Sequence, residues 1–178
     1  SFEVFRRAQP KAGSSDPALA IKGVALIPGT GEYALATTPV HFEYGPGQNR
    51  SANVNSARGK TDFAGSLDDL CEELEACGSI SLVVSWFGDN LKCGSCEIAP
   101  KVEQTDFDGV GMPWVVSGQT RATASAVGQV DDRPVFGGTP CDQSVIEAIG
   151  EIRARGREVM FYPFVLMDIL AENGLGDP

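Results

Sequence analysis

The chain has 178 residues, with 14 Lys and Arg against 24 Asp and Glu, and a net charge of −10. That charge excludes a groove that tracks phosphates, which needs clustered cations, and it argues equally against an anionic membrane surface. A hydrophobic content of 42% is too high for a disordered chain, and no apolar run approaches the ~20 residues that span a bilayer.

Ser1-Phe2-Glu3-Val4-Phe5 alternates like a strand, with neither an initiator Met nor a signal-peptide pattern, while Gly174–Pro178 reads as a loop. Both ends are expected to be cuts in a larger polypeptide. The 21 glycines and 11 prolines crowd the first 60 residues and the stretch from Gly88 to Pro140. Within the first 60, Ala20–Ile27 and Val40–Tyr44 read as short strands joined by turns such as Gly45-Pro46-Gly47.

A helix is expected from Ser66, with Asp69 completing a capping-box-like start. Leu67, Leu70, Cys71 and Leu74 form its apolar stripe, acidic residues its other face, and Gly78 its stop. Ile80–Phe87 follows as a nearly continuous apolar run, the habit of a strand buried on both faces in a parallel sheet. Thr123–Val130 and Arg133–Phe136, joined at Asp131-Asp132, read as a β-hairpin. The second helix is expected to start at Thr139-Pro140, as N-cap and N1, with Val145, Ile146, Ile149 and Ile152 as its stripe. Arg153 and Arg155 complement its last turn, Gly156 closes it, and Val159–Ile169 is expected as a second buried strand.

Helix then buried strand, twice, implies an α/β fold: the start of a (β/α) TIM-like barrel of two helix–strand units, preceded and interrupted by β-rich irregular segments. Residues 1–60 then form a β-rich linking segment. Residues 61–178 form the first part of a barrel-like domain, with a hairpin insertion at about 89–138. A full barrel needs ~250 residues, so the missing strands would lie beyond Pro178.

Ligand sites of such folds sit at the C-terminal ends of the strands. Asp89 follows the first strand and Asp168 ends the second, so adjacent strands could bring both to one rim as the carboxylate pair of a glycoside hydrolase. Trp86 and Trp114 are candidate sugar-stacking faces. The alternative gives Asp89 a turn to cap and Asp168 a set of loop amides. Cys93-Gly94-Ser95-Cys96 is a C-x-x-C with no second pair; Cys77 is the candidate third ligand. A local disulfide or inert thiols, a metal site and a redox pair are its three readings. No other feature asks for a cofactor. Lone His41 lies in a strand-like segment with no Gly-x-Ser-x-Gly elbow in the chain, so nucleophilic hydrolysis finds little support. Arg50, Arg58 and Lys60 form a basic group, suited to a partner's acidic surface or to solvent.

The run Ser79–Leu91 leading into Cys93–Cys96, Gly137-Gly138-Thr139-Pro140, and Phe161-Tyr162-Pro163-Phe164-Val165-Leu166-Met167-Asp168-Ile169 together resemble the large tail-tip (baseplate) protein of gene transfer agents and related siphophages. The resemblance extends from about Ile27 onward. It implies a virion component at the distal end of a tail, leading into and beginning a glycoside-hydrolase-like TIM barrel. It further implies contacts with hub and distal tail proteins, a homotrimer in the assembly, and host-surface attachment or envelope penetration. The resemblance leaves catalysis by this chain open, leaning against it: no catalytic residue carries over, and Asp89 and Asp168 stay as candidates for a glycan-facing rim. The alternative remains a glycoside hydrolase acting on cell-surface glycan or peptidoglycan.

Overall fold

The computed structural model describes residues 16–27, 31–171 and 173–174. The expected strand at Ser1–Phe5 and the final loop residues 175–178 lie outside them. A single helical turn, α1 (Pro17–Ala20), leads into β1 (Gly23–Leu26). The hairpin β2 (His41–Glu43) and β3 (Asn49–Ser51) follows, then α2 (Asp62–Glu73) and β4 (Ser79–Gly88).

β4 is the centre of the sheet. It pairs in parallel with β1 from Gly23↔Ser79 to Leu26↔Leu82. On its other side it pairs in parallel with the last strand, β12 (Glu158–Met167), from Glu158↔Ser79 to Met167↔Gly88. β1 falls within the segment read as linking, yet it is hydrogen-bonded into the main sheet. The chain therefore runs strand–helix–strand–helix–strand with the three parallel strands in sequential order. Among the described residues the sheet is open at both edges.

Both long helices cover one face of this sheet. Phe63 and Leu67 of α2, and Ala148 and Ile152 of α3 (Asp142–Ala154), meet Ile80, Leu82 and Val84 of β4 in a fully buried cluster with Leu35 and Cys77. Alternation along β4 sends Val83, Ser85 and Phe87 to the opposite face. The stripe expected on α2 holds: Leu67 is buried, and Leu70, Cys71 and Leu74 pack against the cluster.

The helix starts differ from expectation. α2 is capped by Thr61, whose Oγ1 accepts the Ala64 amide at 3.4 Å, with Asp62 in the first turn. Ser66 lies inside the helix and is exposed. Thr61, a β-region residue with a hydroxyl five positions earlier, outcompetes it, because Asn55 ties Asp62 down through two hydrogen bonds. For α3 the N-cap is Cys141, without a side-chain cap bond. Thr139 is diverted, its Oγ1 accepting the Lys101 amide at 3.1 Å. Ile146 points outward, 62% exposed, and is not part of the stripe. Gly156 closes α3 at φ +71°, a left-handed position that favours glycine.

β12 has the expected place and direction but not the expected burial. Met160, Tyr162 and Phe164 on one face, and Phe161, Val165 and Met167 on the other, are all exposed. The cause is position: no described strand lies beyond β12, and α3 covers it in part. Pro163 is tolerated mid-strand because β12 has a neighbour on one side alone.

Between β4 and α3 the chain builds a loop lobe. β5 (Ile98–Ala99) folds back antiparallel on β4. β6 (Lys101–Val102), the hairpin β7 (Val115–Val116)–β8 (Gln119–Thr120), and β9 (Ser125–Ala126) follow, with β9 parallel to β6. The expected hairpin is present but short. It comprises β10 (Gln129–Val130) and β11 (Arg133–Pro134), and Asp131 and Asp132 between them both take positive φ, as a two-residue I′ turn demands. Ser125 and Ala126, read as part of that hairpin, pair with β6 instead. A second buried cluster of Tyr33, Ala36, Val40, Val102, Met112, Trp114, Val116 and Cys141 holds the lobe together.

Candidate functional site

The C-terminal ends of β1, β4 and β12 all point toward the lobe. The two aspartates of interest leave neighbouring strands there, and the Asp168 amide donates to Gly88 O at 3.0 Å. Asp89 is exposed, and its Oδ1 accepts the Glu97 amide at 2.8 Å, closing the turn between β4 and β5. The Asp168 side chain is 3% exposed. It accepts Lys101 Nζ at 2.6 Å and the Gly128 amide at 2.9 and 3.0 Å. A carboxylate so enclosed is neutralised by its lysine and oriented by a backbone amide. Gly128 permits this approach, since a Cβ there would lie 2.8 Å from Asp168 Oδ1. Each aspartate thus carries a local structural bond at the rim.

Trp114 is fully buried, and its Nε1 donates to Thr139 O at 2.8 Å, so it offers a sugar no face here. Its length and polar tip suit a core position with one acceptor, which the sequence pattern did not reveal. Trp86 is half-buried and packs against both core clusters.

All five cysteines are free. Cys93 is exposed and Cys96 half-buried on the turn beyond Gly88, while Cys77 is buried before Ser79. Ten residues of extended strand, roughly 30 Å at ~3.3 Å each, separate the two ends of β4. Cys77 therefore cannot join Cys93 and Cys96 around one ion. Among the described residues no group of three or more His, Cys, Asp and Glu side chains is placed to hold a metal. His41 meets Glu43 at 3.4 Å on the surface.

The basic group divides. Arg58 pairs with Asp69 and Lys60 with Asp68, both on α2. Arg50 stands apart, on β3 opposite Phe42 of β2.

The charged centre of the lobe is one that sequence reasoning missed. Glu32 and Arg121, 2% and 4% exposed, form a buried ion pair. Arg121 also donates to Asp108 Oδ1 at 3.1 Å, Gln104 O at 2.6 Å and the Tyr33 hydroxyl at 3.2 Å. Glu32 further accepts the Glu103 amide at 2.7 Å, and the Tyr33 hydroxyl donates to Asp108 at 2.9 Å. Burial pushes the Glu32 carboxyl up against the opposing pull of Arg121. Burial alone would lower Arg121, yet its bonds to Glu32 and Tyr33 outweigh that, and it stays charged. For Asp108 burial is likewise outweighed, by the Trp114 and Gly109 amides, and its carboxyl is held low. The partners lie up to 89 positions apart, so no local motif marks them.

Above this ion pair opens a cleft of about 410 Å3. Tyr33 and Glu32 form its floor, and Phe42, Tyr44 and Arg50 of the β2–β3 hairpin form one wall. Glu103, Gln104, Gln129 and Asp132 from the loops after β4 form the other. The cleft is thus built from the loops after two parallel strands, the place where α/β sheets carry ligands.

No protein-family model matches the chain, and no curated protein is significantly similar to it in sequence.

Proposed function

We propose that the chain is a structural component of a phage-like tail tip or baseplate, contributing to host-surface attachment or envelope penetration. The observation that carries this reading is β12: a ten-residue strand with six large apolar side chains exposed over its two faces, unpaired along the outer edge among the described residues. An exposed apolar strand edge is sticky in isolation and is ordinarily covered. Sequential parallel strands with both helices on one face fit the opening of a (β/α) barrel, in which further strand–helix units would cover β12. The tail-tip resemblance supplies the assembly: hub and distal tail proteins as neighbours, a homotrimer as the stoichiometry, and the distal end of the tail as the location.

A glycoside hydrolase is the second reading, favoured by the rim position that Asp89 and Asp168 share. The Lys101 pairing of Asp168 and the turn-closing role of Asp89 weigh against it. Peptide mass spectrometry on purified tail particles tests the first reading. The chain should be present, with peptides that continue past Pro178; its absence from particles overturns the proposal. The enzyme reading falls if an Asp89→Asn, Asp168→Asn double variant still cleaves host glycan at the wild-type rate.

A further inference from the structure

The cleft above the Glu32–Arg121 pair has the makings of a recognition site, and its lining narrows what it can take. Phe42 and Tyr44 lie two positions apart and so share one face of the β2–β3 ribbon, with ring centroids 6.4 Å apart. Tyr33 packs edge-on to Phe42 at 5.8 Å, and Phe107 edge-on to Tyr44 at 4.6 Å, which fixes both rings from behind and beside. Arg50, directly across the ladder from Phe42, belongs to that wall. On the opposite wall stand Gln129 and Asp132. Among the described residues the side chains of Arg50, Gln129 and Asp132 make no hydrogen bond or ion pair. Gln104, by contrast, spends its amide on Asp106 and Phe107, and so belongs to the frame.

These groups eliminate most ligand classes. A purely apolar ligand would bury three open polar side chains without partners. A strong anion would meet Asp132 and Glu103; a cation would meet Arg50 beside those two carboxylates, and among the described residues no group of three His, Cys, Asp or Glu side chains is placed to hold a metal. What remains is a neutral polyol with one apolar face. Its C–H face would lie on Phe42 and Tyr44, while its hydroxyls reach Arg50 and Gln129 as donors and Asp132 as acceptor. A cavity of about 410 Å3 holds a short oligosaccharide. We infer that the cleft between the β2–β3 and β10–β11 hairpins binds a neutral oligosaccharide through Phe42, Tyr44, Arg50, Gln129 and Asp132. The site is separate from the Asp89 and Asp168 rim positions. It deepens the attachment reading, on which its biological sense rests, by naming the surface that would do the attaching.

The test uses the full chain and three probes: maltotriose, tri-N-acetylchitotriose and trigalacturonate. Binding is followed by saturation-transfer difference NMR and by the ring resonances of Tyr44 and Phe107. At least one neutral trisaccharide should bind and shift those rings, and trigalacturonate should bind more weakly. Tyr44→Ala and Arg50→Ala should each weaken binding roughly tenfold. The milder Asp132→Asn, on an exposed turn, should weaken it without touching the fold. Unchanged thermal melts will show that the variants remain folded. The inference is overturned if neither neutral sugar binds, if trigalacturonate binds tighter, or if Asp132→Asn leaves binding unchanged. Saccharide binding by a chain absent from tail particles would sustain the site and remove the assembly reading, so the two fail separately.

Discussion

The two halves of this molecule are held together by different physics. The helix–sheet layer buries Phe63, Leu67, Ile80, Leu82, Val84, Ala148 and Ile152, nearly all aliphatic, on elements of ten or more residues. The loop lobe has strands of two or three residues and a core that mixes Tyr33, Trp114 and Met112 with a buried ion pair. Long elements satisfy their backbone within the helix or along the sheet ladder, so their side chains need only be apolar. Short ones leave backbone groups over, and polar side chains must take them up: Glu32 accepts the Glu103 amide, Asp108 the Trp114 amide, and Asn53 the Val40 amide. The layer should therefore break through lost volume, and the lobe through lost charge partners.

The sharpest break should come at Arg121. Replacing it with Ala strands the Glu32 carboxylate at 2% exposure and unties Gln104, Asp108 and Tyr33 together. The expected loss is about 3–5 kcal/mol by urea denaturation, with a Glu32→Gln, Arg121→Met double variant recovering part of it. Helical circular dichroism should survive longer than the near-ultraviolet signal of Trp114, because the damage lies in the lobe. Leu67→Ala tests the other half. Leu67 is fully buried between α2 and the sheet, so the cavity should cost about 2–4 kcal/mol. In this case the helical signal and the Trp114 signal should fall together if the two halves unfold as one unit.

The same division decides what a sequence reader can see. The α2 stripe and the central strand β4 are legible because 3.6-residue periodicity and a β-branched run act over ten or more positions. The end of β4 and the Asp131-Asp132 turn are legible for local reasons as well. What escapes is decided by position in space. β12 reads as apolar and therefore buried, but burial needs neighbours, and none of the described elements lies beyond it. Trp114 reads as a surface aromatic because it sits in a loop just before the two-residue β7, where no period marks a buried face. Arg121 gives no signal at all, since Glu32 and Tyr33 come from the loop after β1 and even Asp108 and Gln104 lie 13 and 17 positions away. Arg50 groups by sequence with Arg58 and Lys60, whereas the fold sends those two to α2 and Arg50 to the cleft wall.

Two smaller changes sharpen the boundary between the halves. Gly128→Ala would place a Cβ 2.8 Å from Asp168 Oδ1 and 3.1 Å from Leu170, pushing the residues just after β12 off the lobe. A loss of about 1–3 kcal/mol is expected from such overpacking, together with faster amide exchange at Asp168, whose N–H donates to Gly88. At the start of α2 the hydroxyls can be told apart. Thr61→Ala should cost about 1 kcal/mol, and Ser66→Ala, on an exposed helical position, close to nothing. Equal losses in denaturant midpoint would place the cap at the wrong residue.

The smallest effect lies where the halves meet, at Glu147 of α3. Its carboxylate accepts the Thr37 and Thr38 amides at 2.9 and 3.0 Å and both hydroxyls, with Gln143 Nε2 at 3.5 Å beside it. Burial would raise this carboxyl, but the Thr38 and Thr37 hydrogen bonds outweigh burial and hold it below its ordinary 4.5. A carboxyl depressed in the folded state stabilises fully above its unfolded value, and that contribution is lost as pH falls through the folded one. The Glu147 contribution, read as the melting-temperature difference between wild type and Glu147→Gln, should therefore be flat from pH 7 to about pH 5 and drop between pH 5 and pH 3; the wild-type curve itself also carries Glu32, whose raised carboxyl slopes the opposite way. Asp108 and Asp68 add in the same direction, Asp68 being held at about 2 by Arg155 and Lys60. Glu147→Gln cannot titrate, so its melting temperature should lie slightly below wild type at pH 7 and converge with it near pH 3. The gap at pH 7 should be no more than about 3 °C. A constant gap across that range would mean that the Thr37–Thr38 amides bind shape rather than charge. The contact between helix layer and lobe would then be one of packing alone.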